Sequence, residues 1–514
     1  MKLVTVSQMR EIEREADLKG VSYAQMMRNA GRGLAEMVHA IGQENEWDVV
    51  TGIVGSGNNG GDTLVALTWL AEAGWKTYVY LVNRQDDELA KQYLKVGGEI
   101  ARYATDSDFE ALRNFLEETD ILLDGLLGTG IKLPLRKEAS LVLQSTANIL
   151  AEMEHPPLIV AVDCPSGVDC DTGDCADETL PADLTITMAA VKQGLLKFPA
   201  FEYVGDLELV DIGLPEGLDS WDSLRIDVAD ADMISAILPE RTPASHKGTF
   251  GTTFVVAGST SYTGAALLAG RAAYRIGVGL VTMAVPATLH TALVGHLPEA
   301  TWVPLPHEHG FVSEEASYYV LSNLERATAI LVGPGFGNKH TTRLFVEHLL
   351  DSLELPSVID ADGLRHLAGI HDWHKKIKVQ AVLTPHPGEM SALTGLSIAE
   401  IQSNREEVTG KYAKEWGQVV VLKGAFTVIA APDGRITIIP VATSALARAG
   451  TGDVLAGLII GLRAQGVDAY EAAIAGAYIH AQAGLYAAEN LGTTASVLAS
   501  DVLNAIPNVI SDLE

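Results

Sequence analysis

The chain has 514 residues, too many for one ordinary hydrophobic core, so two or more domains are expected. A hydrophobic content of 47% and 49 glycines are typical of a turn-rich, folded α/β protein and exclude a disordered one. The formal charge of −30 argues against nucleic acid or an anionic membrane as the main partner. Any anionic ligand must then be held by local backbone N–H groups and a few placed cations.

The N-terminal residues carry several charges and contain no signal-peptide core, and no apolar run of about 18 residues predicts a membrane span. We therefore expect a cytoplasmic protein. Cys164, Cys170 and Cys175 lie in one short loop. Because no histidine follows them at a zinc-site spacing, reduced thiols are favoured over a disulfide framework or a metal site.

Short apolar runs in the first half alternate with amphipathic stretches, which is the pattern of βαβ units. The amphipathic stretches at 63–73, 87–96 and 139–153 are predicted helices. The predicted strands, most of them buried on both faces, are 49–54, 77–82, 121–124, 158–162 and 184–187. This series predicts a parallel sheet covered by helices.

The second half also alternates apolar runs with helical stretches, but its motifs are different. The two halves are therefore different domains and not a duplication. Its predicted strands are 254–257, 280–284, 330–332, 358–360, 382–384 and 419–422, and long helical segments run from 454 to the end. The runs 428–430 and 436–439, separated by Pro432-Asp433-Gly434, predict a hairpin. A linker-like stretch at 213–217 and a helix start near Ala231 place the boundary near 220, giving domains 1–220 and 221–514.

The stretch Gly55-Ser56-Gly57-Asn58-Asn59-Gly60-Gly61-Asp62 follows a predicted strand and precedes a helix. It contains the G-x-G-x-x-G pattern of dinucleotide-binding turns, but the next strand end lacks the acidic residue that would bind a ribose. Its asparagines and Asp62 add polar side chains that a plain pyrophosphate turn does not need. They favour a polar ligand, or a cation, at this strand end.

Two further strand ends carry aspartates. Asp124 leads to Gly128-Thr129-Gly130, and Asp163 leads to Pro165-Ser166-Gly167. Each aspartate alone is explained equally by a turn or a helix cap. Because ligands bind at the carboxyl ends of parallel strands, the set of three strand ends favours a ligand site.

These motifs, together with Val162–Asp169 around Asp163, resemble the NAD(P)H-hydrate epimerase family over roughly residues 5–215. The resemblance implies a Rossmann-like domain that binds the damaged nicotinamide ring over the strand ends, with Asp163 at the reacting centre. It implies a potassium ion held by Asn59, Asp124 and Ser166, and a lysine, Lys192, facing the site. Thr63 stands where the family usually has glycine. The substrate-binding residues implied are Asn58, Asn59, Gly60, Gly61, Asp62, Gly128, Thr129, Gly130 and Asp163.

In the second half, Ala449-Gly450-Thr451-Gly452-Asp453 opens onto an apolar helix. The glycines permit a tight turn of free N–H groups at the positive end of the helix dipole, which makes an anion hole. Asp453 lies in the first turn, where a carboxylate can take a proton from a hydroxyl that attacks a bound phosphate. The alternative is that Asp453 merely caps the helix.

Other strand ends of this half add polar groups. Gly333–Gly337 reads as a loop that a ligand approaches closely, and Asp360 and Asp362 flank another strand end. Singly, His386 is equally explained as a helix cap, and Lys423 as a solvated turn residue. Asp360 and Glu389 fit carboxylates near a magnesium ion, or simple caps. Together these residues describe an ADP- or ATP-binding cleft.

The motifs HKGTFG, GPGFG, LTPHPGE and GTGDVLAG, within roughly residues 225–512, closely resemble the ADP/ATP-dependent NAD(P)H-hydrate dehydratase family. The resemblance implies a ribokinase-like α/β domain that uses Mg²⁺ with ADP or ATP. It places substrate near Gly264, Ala265, Gly335, His386 and Asp453, with Asp453 catalytic. The nucleotide contacts it implies are Lys423, Gly424, Ala425, Phe426, Thr427, Gly450, Thr451 and Gly452.

The two resemblances together predict one bifunctional enzyme, an isomerase and a lyase, that repairs hydrated NADH and NADPH. The first domain would interconvert the R and S epimers at C6, and the second would dehydrate the S form at the expense of ADP or ATP. Two alternatives stay open from the residues: a ribokinase-like small-molecule kinase, and a nucleotide-sensing protein without turnover. A homo-oligomer is also expected.

Overall fold

The computed structural model describes residues 1–514 and divides the chain into two compact units, Met1–Leu224 and Arg225–Glu514. Position 220, where the sequence places the boundary, falls instead inside a short helix, Asp219–Asp222, of the first unit. The backbone N–H groups of Asp219 and Ser220 each donate to the Glu15 carboxylate at 2.9 Å. Together with the Ser220 hydroxyl, the largest contributor, they lower the pKa of Glu15 to about 2. These contacts tie the helix to the first unit.

The first unit is a three-layer arrangement of helices around a parallel sheet. Its strands are β1 (Leu3–Val4), β2 (Val49–Val54), β3 (Lys76–Leu81), β4 (Glu99–Arg102), β5 (Ile121–Gly125), β6 (Leu158–Val162), β7 (Leu184–Met188), β8 (Val191–Lys192) and β9 (Asp206–Val210). Its helices are α1 (Val6–Leu18), α2 (Tyr23–Asn45), α3 (Asn58–Glu72), α4 (Glu88–Lys95), α5 (Glu110–Glu117), α6 (Lys137–Glu152) and α7 (Asp219–Asp222).

Seven of these strands form an all-parallel sheet in the order β4-β3-β2-β5-β6-β7-β9, and β1 pairs separately with β8. Both faces are buried: on β5, Ile121 and Leu123 pack into one core and Leu122 into the core on the other side. The predicted parallel sheet is therefore confirmed. The chain order reverses between β2 and β5, and such a switch point opens a crevice at the carboxyl ends of the strands.

Helix α3 begins at Asn58, several residues before the predicted start at 63. The first turn contains two glycines, Gly60 and Gly61, and a side chain at either position would meet a close neighbour. A Cβ on Gly60 would come within 2.1 Å of the Gly55 carbonyl oxygen, and one on Gly61 would meet Met27 at 2.7 Å. The second half of the glycine-rich stretch is thus the first turn of a helix and not a loop.

The second unit is built around a larger sheet. Its strands are β10 (Ile226–Val228), β11 (Thr252–Val256), β12 (Leu280–Pro286), β13 (Thr301–Leu305), β14 (His307–Glu308), β15 (Phe311–Val312), β16 (Ala329–Val332), β17 (Ser357–Ile359), β18 (Ala381–Leu383), β19 (Val419–Leu422), β20 (Val428–Ala430) and β21 (Ile436–Ile438). Its helices are α8 (Ala231–Ile237), α9 (Thr263–Arg275), α10 (Ala287–Leu293), α11 (Ala316–Ser322), α12 (His340–Ser352), α13 (Asp362–Leu367), α14 (Trp373–Lys376), α15 (Pro387–Thr394), α16 (Ile398–Ser403), α17 (Arg405–Trp416), α18 (Thr451–Ala464), α19 (Ala469–Leu491) and α20 (Ala499–Leu513).

Ten strands form this sheet, in the order β10-β21-β20-β19-β18-β17-β16-β11-β12-β13. All neighbours run parallel except around β20, which pairs antiparallel with β19 and β21 and so confirms the predicted hairpin. The chain order reverses between β11 and β16, which makes a second switch point. None of the helices in the chain is both long and apolar enough to span a membrane.

Helices α9 and α18 begin at this switch point and pack closely along their length. A Cβ on Gly457 would come within 2.3 Å of the Ala269 carbonyl oxygen, and one on Gly461 would meet Ile276 at 2.3 Å. Glycine at these two positions permits the backbones to approach. The first turns of both helices are therefore held on a rigid base.

Candidate functional site

A cavity of about 1440 Å³ lies at the carboxyl edge of the first unit's sheet. The glycine-rich stretch after β2 and the loops after β5 and β6 all contribute to it. Its lining includes eight of the residues that the sequence singles out: Asn58, Asn59, Asp62, Gly128, Thr129, Gly130, Asp163 and Lys192. Gly60 and Gly61 do not line it, because they pack inside the first turn of α3.

Asp163 follows β6 directly and has a left-handed backbone conformation, with φ 65°. One of its carboxylate oxygens, Oδ1, accepts from the Lys192 ammonium, from the Met188 N–H at 3.0 Å and from the Thr187 hydroxyl at 3.3 Å. No hydrogen bond reaches the other oxygen, Oδ2. The carboxylate is thus fixed through one oxygen and free to act on a ligand through the other.

Lys192 is 1% exposed and comes from β8, which pairs with β1. Its ammonium donates to Asp163, to the Thr187 hydroxyl at 3.0 Å and to the Met188 carbonyl at 2.9 Å. All three donors of the ammonium are therefore used by the protein. The lysine supplies charge and position to Asp163 and has no proton left to donate to a ligand.

Two further carboxyl groups line the cavity near Asp163. Burial raises the pKa of Asp62 well above its usual range, and the charge of Asp163 raises it further. Burial and the same charge also raise the pKa of Glu13, which comes from α1. We did not predict Glu13 as a site residue. The available signal was its place beside the apolar stripe of Met9, Ile12 and Ala16 on an amphipathic helix.

Asp124 and Ser166 lie behind the cavity wall and are fully buried. The Ser166 hydroxyl donates to Asp124 Oδ1 at 2.6 Å and its N–H donates to Oδ2 at 2.8 Å. Asn59 donates to the Leu127 carbonyl at 2.7 Å, and its own side-chain oxygen is buried without any partner. A buried oxygen without a donor beside a carboxylate, a hydroxyl and a carbonyl is a donor set that suits a hard cation. The three residues implied by the resemblance fit that role.

In the second unit, the loops after β11, β16, β17, β18 and β19 meet near the first turns of α9 and α18. Gly335 has φ 67°, and a Cβ there would come within 2.8 Å of the Tyr262 carbonyl oxygen and 2.9 Å of the Ala265 side chain. Nothing lies within 4 Å of a Cβ on Gly264. The predicted substrate residues Gly264, Ala265 and Gly335 are thus neighbours, with open space beside them.

Asp453 does not cap α18. The cap position is Gly450, with φ 92° and no side-chain cap hydrogen bond. The N–H groups of Gly452 and Asp453 donate to no protein group, and the Asp453 carboxylate accepts no hydrogen bond. Burial raises the pKa of Asp453 to about 7, with the charge of Asp360 adding to the effect and that of Lys423 opposing it. The first turn of α18 therefore combines free backbone donors with a carboxyl group that changes its charge near neutral pH.

Lys423 connects this turn to the rest of the cleft. Its ammonium donates to Asp360 at 2.7 Å and lies 3.8 Å from Glu389. A side chain on Gly452 would come within 3.6 Å of the same ammonium. Burial lowers the pKa of Lys423, but attraction to the two carboxylates outweighs burial and the net shift is upward. Lys423 is therefore a buried cation beside the anion hole, not a solvated turn residue.

His386 caps α15. Its Nδ1 accepts from the N–H groups of Gly388 and Glu389 at 2.9 and 3.3 Å, and its Nε2 lies 3.2 Å from the Glu389 carboxylate. Both ring nitrogens thus have protein partners, and burial lowers the pKa of the imidazole. The predicted helix cap is therefore present, and the substrate contact implied for His386 by the resemblance stays a prediction.

The residues after Lys423 form the turn between β19 and β20. Gly424 and Phe426 have φ of 141° and 53°, and the Thr427 hydroxyl donates to the Gly424 carbonyl at 2.9 Å. Ala425 is exposed at its tip. No group of three or more His, Cys, Asp or Glu side chains in the chain is placed to hold a metal ion. A magnesium ion here would need phosphate oxygens as ligands.

Two family models match the chain. One, described as NAD(P)H-hydrate dehydratase, matches residues 253–508, and the other, described as YjeF-related protein N-terminus, matches residues 23–194. The first of these ranges contains the site around Asp453, and the second contains the site around Asp163.

Curated relatives match the whole chain. The bifunctional NAD(P)H-hydrate repair enzyme of Moorella thermoacetica is 36% identical, covering 100% of this chain and 97% of its own length. The enzyme of the same name from Escherichia coli is 32% identical, covering 97% and 92%.

The second unit resembles a solved enzyme structure. The ADP/ATP-dependent NAD(P)H-hydrate dehydratase of Bacillus subtilis, co-crystallised with ATP and Mg²⁺, has a TM-score of 0.50 at 33% identity. The match covers 57% of this chain and 100% of that one. Since relatives of one name match both units along their full length, the chain belongs to the family of bifunctional NAD(P)H-hydrate repair enzymes, with an epimerase and a dehydratase domain.

Proposed function

We propose that the first unit interconverts the C6 epimers of hydrated NADH and NADPH, and that the second unit dehydrates the S epimer at the expense of ADP or ATP. Family membership supports the pair of activities. The observation that carries the assignment of residues is shared by both units. In each, one aspartate at the carboxyl edge of the sheet keeps a carboxylate oxygen free of protein donors: Oδ2 of Asp163, and both oxygens of Asp453.

In the first unit, Asp163 moves the proton. The ring nitrogen next to C6 pushes the hydroxyl out, and Asp163 Oδ2 gives it a proton so that it leaves as water. Water then adds to the opposite face of the ring and its proton returns to Asp163 Oδ2, while Lys192 holds Oδ1 in place. Because Asp163 gives up one proton and regains one in each turnover, epimerisation consumes no cosubstrate.

A potassium ion bound by Asn59, Asp124 and Ser166 would supply positive charge behind the loop that carries Asp163. The partnerless oxygen of Asn59 and the buried Asp124 support this assignment. Replacing K⁺ by a bulky organic cation in the assay is expected to slow epimerisation and to leave dehydration unchanged.

In the second unit, Asp453 acts as general base on the C6 hydroxyl. The hydroxyl oxygen attacks the terminal phosphorus of the nucleotide, the bond to the nucleotide breaks, and Asp453 accepts the hydroxyl proton. The free N–H groups of Gly452 and Asp453, with Lys423 beside them, stabilise the charge on the transferred phosphoryl group. Phosphate then leaves C6 with help from the ring nitrogen, and loss of a proton from C5 restores the dihydropyridine.

Magnesium bound to the nucleotide would neutralise phosphate charge during this transfer. We infer that the nucleotide contacts the turns Lys423–Thr427 and Gly450–Gly452, and that the substrate contacts Gly264, Ala265, Gly335 and His386. The open space beside Gly264 supports the substrate contacts. The ATP- and Mg²⁺-bound Bacillus subtilis dehydratase supports the nucleotide and metal.

The test is to mix both epimers of hydrated NADH with the protein, Mg²⁺, K⁺ and ADP, then ATP, and to follow recovery of dihydropyridine absorbance together with phosphate release. Complete recovery with one phosphate per product is expected, and the better nucleotide identifies the natural one. Recovery that stops at the amount of one epimer would overturn the role of the first unit. A stable phosphorylated product would instead favour the small-molecule kinase.

A further inference from the structure

The mouth of the first unit's cavity is basic, although the chain as a whole carries a formal charge of −30. Four exposed cations line it: Arg10, Arg14, Lys132 and Arg136. Arg14 is neutralised by its ion pair with Glu11. The side chains of the other three make no hydrogen bond or ion pair with the protein. Unpaired cations collected at one opening of an acidic protein indicate an anionic ligand.

The loop after β5 adds backbone donors at the same place. The N–H groups of residues 128–132 donate to no protein group. Arg10 reaches this loop from α1, since its Nη2 lies 3.7 Å from the position that a Cβ on Gly130 would take. A guanidinium beside a run of free N–H groups is the arrangement that binds phosphate oxygens.

The volume of the cavity and the positions of its charged side chains indicate how the ligand is oriented in it. Its volume of about 1440 Å³ exceeds the roughly 300–1,000 Å³ typical of small-molecule pockets, so there is room for a dinucleotide. Lys192 is buried and the Asp163 side chain is only 15% exposed, whereas Arg10, Lys132 and Arg136 are exposed. With the ring inside, the phosphate-bearing tail of the same molecule extends to the cations.

Resting on the proposed epimerase function, we propose that Arg10, Lys132 and Arg136, with the loop Gly128–Lys132, form a subsite for the phosphates of the dinucleotide tail. Two of the cations match the two charges of a pyrophosphate. The third is Arg136, at the start of α6, which we assign to the additional phosphate of the NADPH hydrate; this hydrate is therefore the better epimerase substrate. The subsite is a determinant of specificity and takes no part in the chemistry at C6.

The experiment compares epimerisation of hydrated reduced nicotinamide riboside, which has no phosphate, with that of the NADH and NADPH hydrates, in the full-length protein. Arg10→Ala is expected to lower kcat/KM for both dinucleotides by about tenfold or more, mainly through KM, and to leave the riboside unchanged. Arg136→Ala is expected to cost the NADPH hydrate more than the NADH hydrate. Arg28→Ala, which removes one exposed charge outside the cavity, is the matched control.

Loss on all three substrates alike would overturn the subsite, as would an unchanged kcat/KM for the dinucleotides in Arg10→Ala. Equal kcat/KM of the two dinucleotide hydrates with the unsubstituted protein would overturn the assignment of the third cation. Failure of the unsubstituted protein to interconvert any epimers would instead overturn the epimerase function itself. Inhibition by ADP-ribose, weakened by Arg10→Ala and by salt, gives a readout of the subsite that is independent of turnover.

Discussion

Each unit places an aspartate at the carboxyl edge of its sheet, Asp163 directly after β6 and Asp453 in the first turn of α18, and the two differ in their partners. Asp163 is paired with the Lys192 ammonium, and three donors converge on one of its oxygens. Asp453 has no such partner, because Lys423, the nearest buried cation, is bound to Asp360 at 2.7 Å. Burial then raises the pKa of Asp453 to about 7. The position of one lysine thus decides whether the aspartate is held by an ion pair, as Asp163 is, or stays without a partner and has a raised pKa, as Asp453 does.

The largest expected effect on activity comes from replacing Asp453, the carboxylate that accepts no hydrogen bond. Asp453→Asn removes the general base, and dehydration of the S epimer is expected to fall by about 10³-fold or more. Epimerisation in the same variant serves as the control and is expected to stay at its original rate. Both rates are measured from absorbance recovery and from separation of the epimers. Dehydration close to the original rate would mean that Asp453 is not the base.

The corresponding change in the first unit is Asp163→Asn. Epimerisation is expected to fall by about 10²-fold or more, since the free oxygen that moves the proton is lost. Dehydration of purified S epimer should continue unchanged. A parallel loss of both activities would contradict the division of labour between the units.

The ion pair that distinguishes Asp163 also contributes to stability. Lys192→Met leaves a largely buried carboxylate without its cation, and the free energy of unfolding of the first unit is expected to fall by about 3 kcal/mol. Lys76→Met is the matched control, because it removes the same kind of partner from the exposed Glu118. That variant should unfold at the same denaturant concentration as the unsubstituted protein.

Asp453 should have the opposite effect on stability. Its pKa is raised from 3.8 to about 7 on folding, so the unfolded chain releases this proton more readily, and the group costs stability as pH rises from about 4 to 7. Asp453→Asn is therefore expected to increase the unfolding free energy by about 2 kcal/mol at pH 8 and to change it little at pH 4. Denaturant unfolding at the two pH values measures this difference. If Asp453→Asn were less stable than the unsubstituted protein at pH 8, burial of the charged Asp453 carboxylate would not be what costs stability there.

The smallest effect concerns the pH profile of the unsubstituted protein. Below pH 7 the fraction of deprotonated Asp453 falls with each unit, so kcat/KM for dehydration should rise about tenfold per pH unit and level off above about 7. Replacing Asp453 by Asn should remove this inflection from the residual dehydration rate and leave the pH profile of epimerisation as it is in the unsubstituted protein. A dehydration profile that stays flat between about pH 5 and 8 would contradict the raised pKa of Asp453.

Much of this arrangement follows from local sequence patterns. Apolar runs that end in Asp124 or Asp163 in the first unit, and in Asp360 in the second, identify the strand ends, and within each unit parallel pairing brings the strand ends to one edge of its own sheet. The resemblance to known families, confirmed by the full-length relatives, then supplies the chemistry.

Local sequence patterns did not predict the features that depend on packing between segments distant in sequence. Strand β13 contains Pro304, which argues against a strand, but it lies at a sheet edge where a missing donor is tolerated. Arg10 and Glu13 reach the cavity only because α1 packs beside it. Nor does a turn motif reveal that Lys423 turns inward to Asp360, or that both nitrogens of His386 are used within the protein. Each depends on a neighbour distant in sequence.

The side chain of Thr63 occupies the space that a side chain at position 125 would need. The Thr63 hydroxyl donates to the Asn59 carbonyl at 2.8 Å, and a Cβ on residue 125 would come within 1.9 Å of that same hydroxyl. With threonine at position 63, a side chain at position 125 would have to displace the Thr63 side chain and its hydrogen bond to the Asn59 carbonyl. The two positions therefore constrain each other. Among relatives, a residue larger than glycine at 125 is expected only with a residue smaller than threonine at 63.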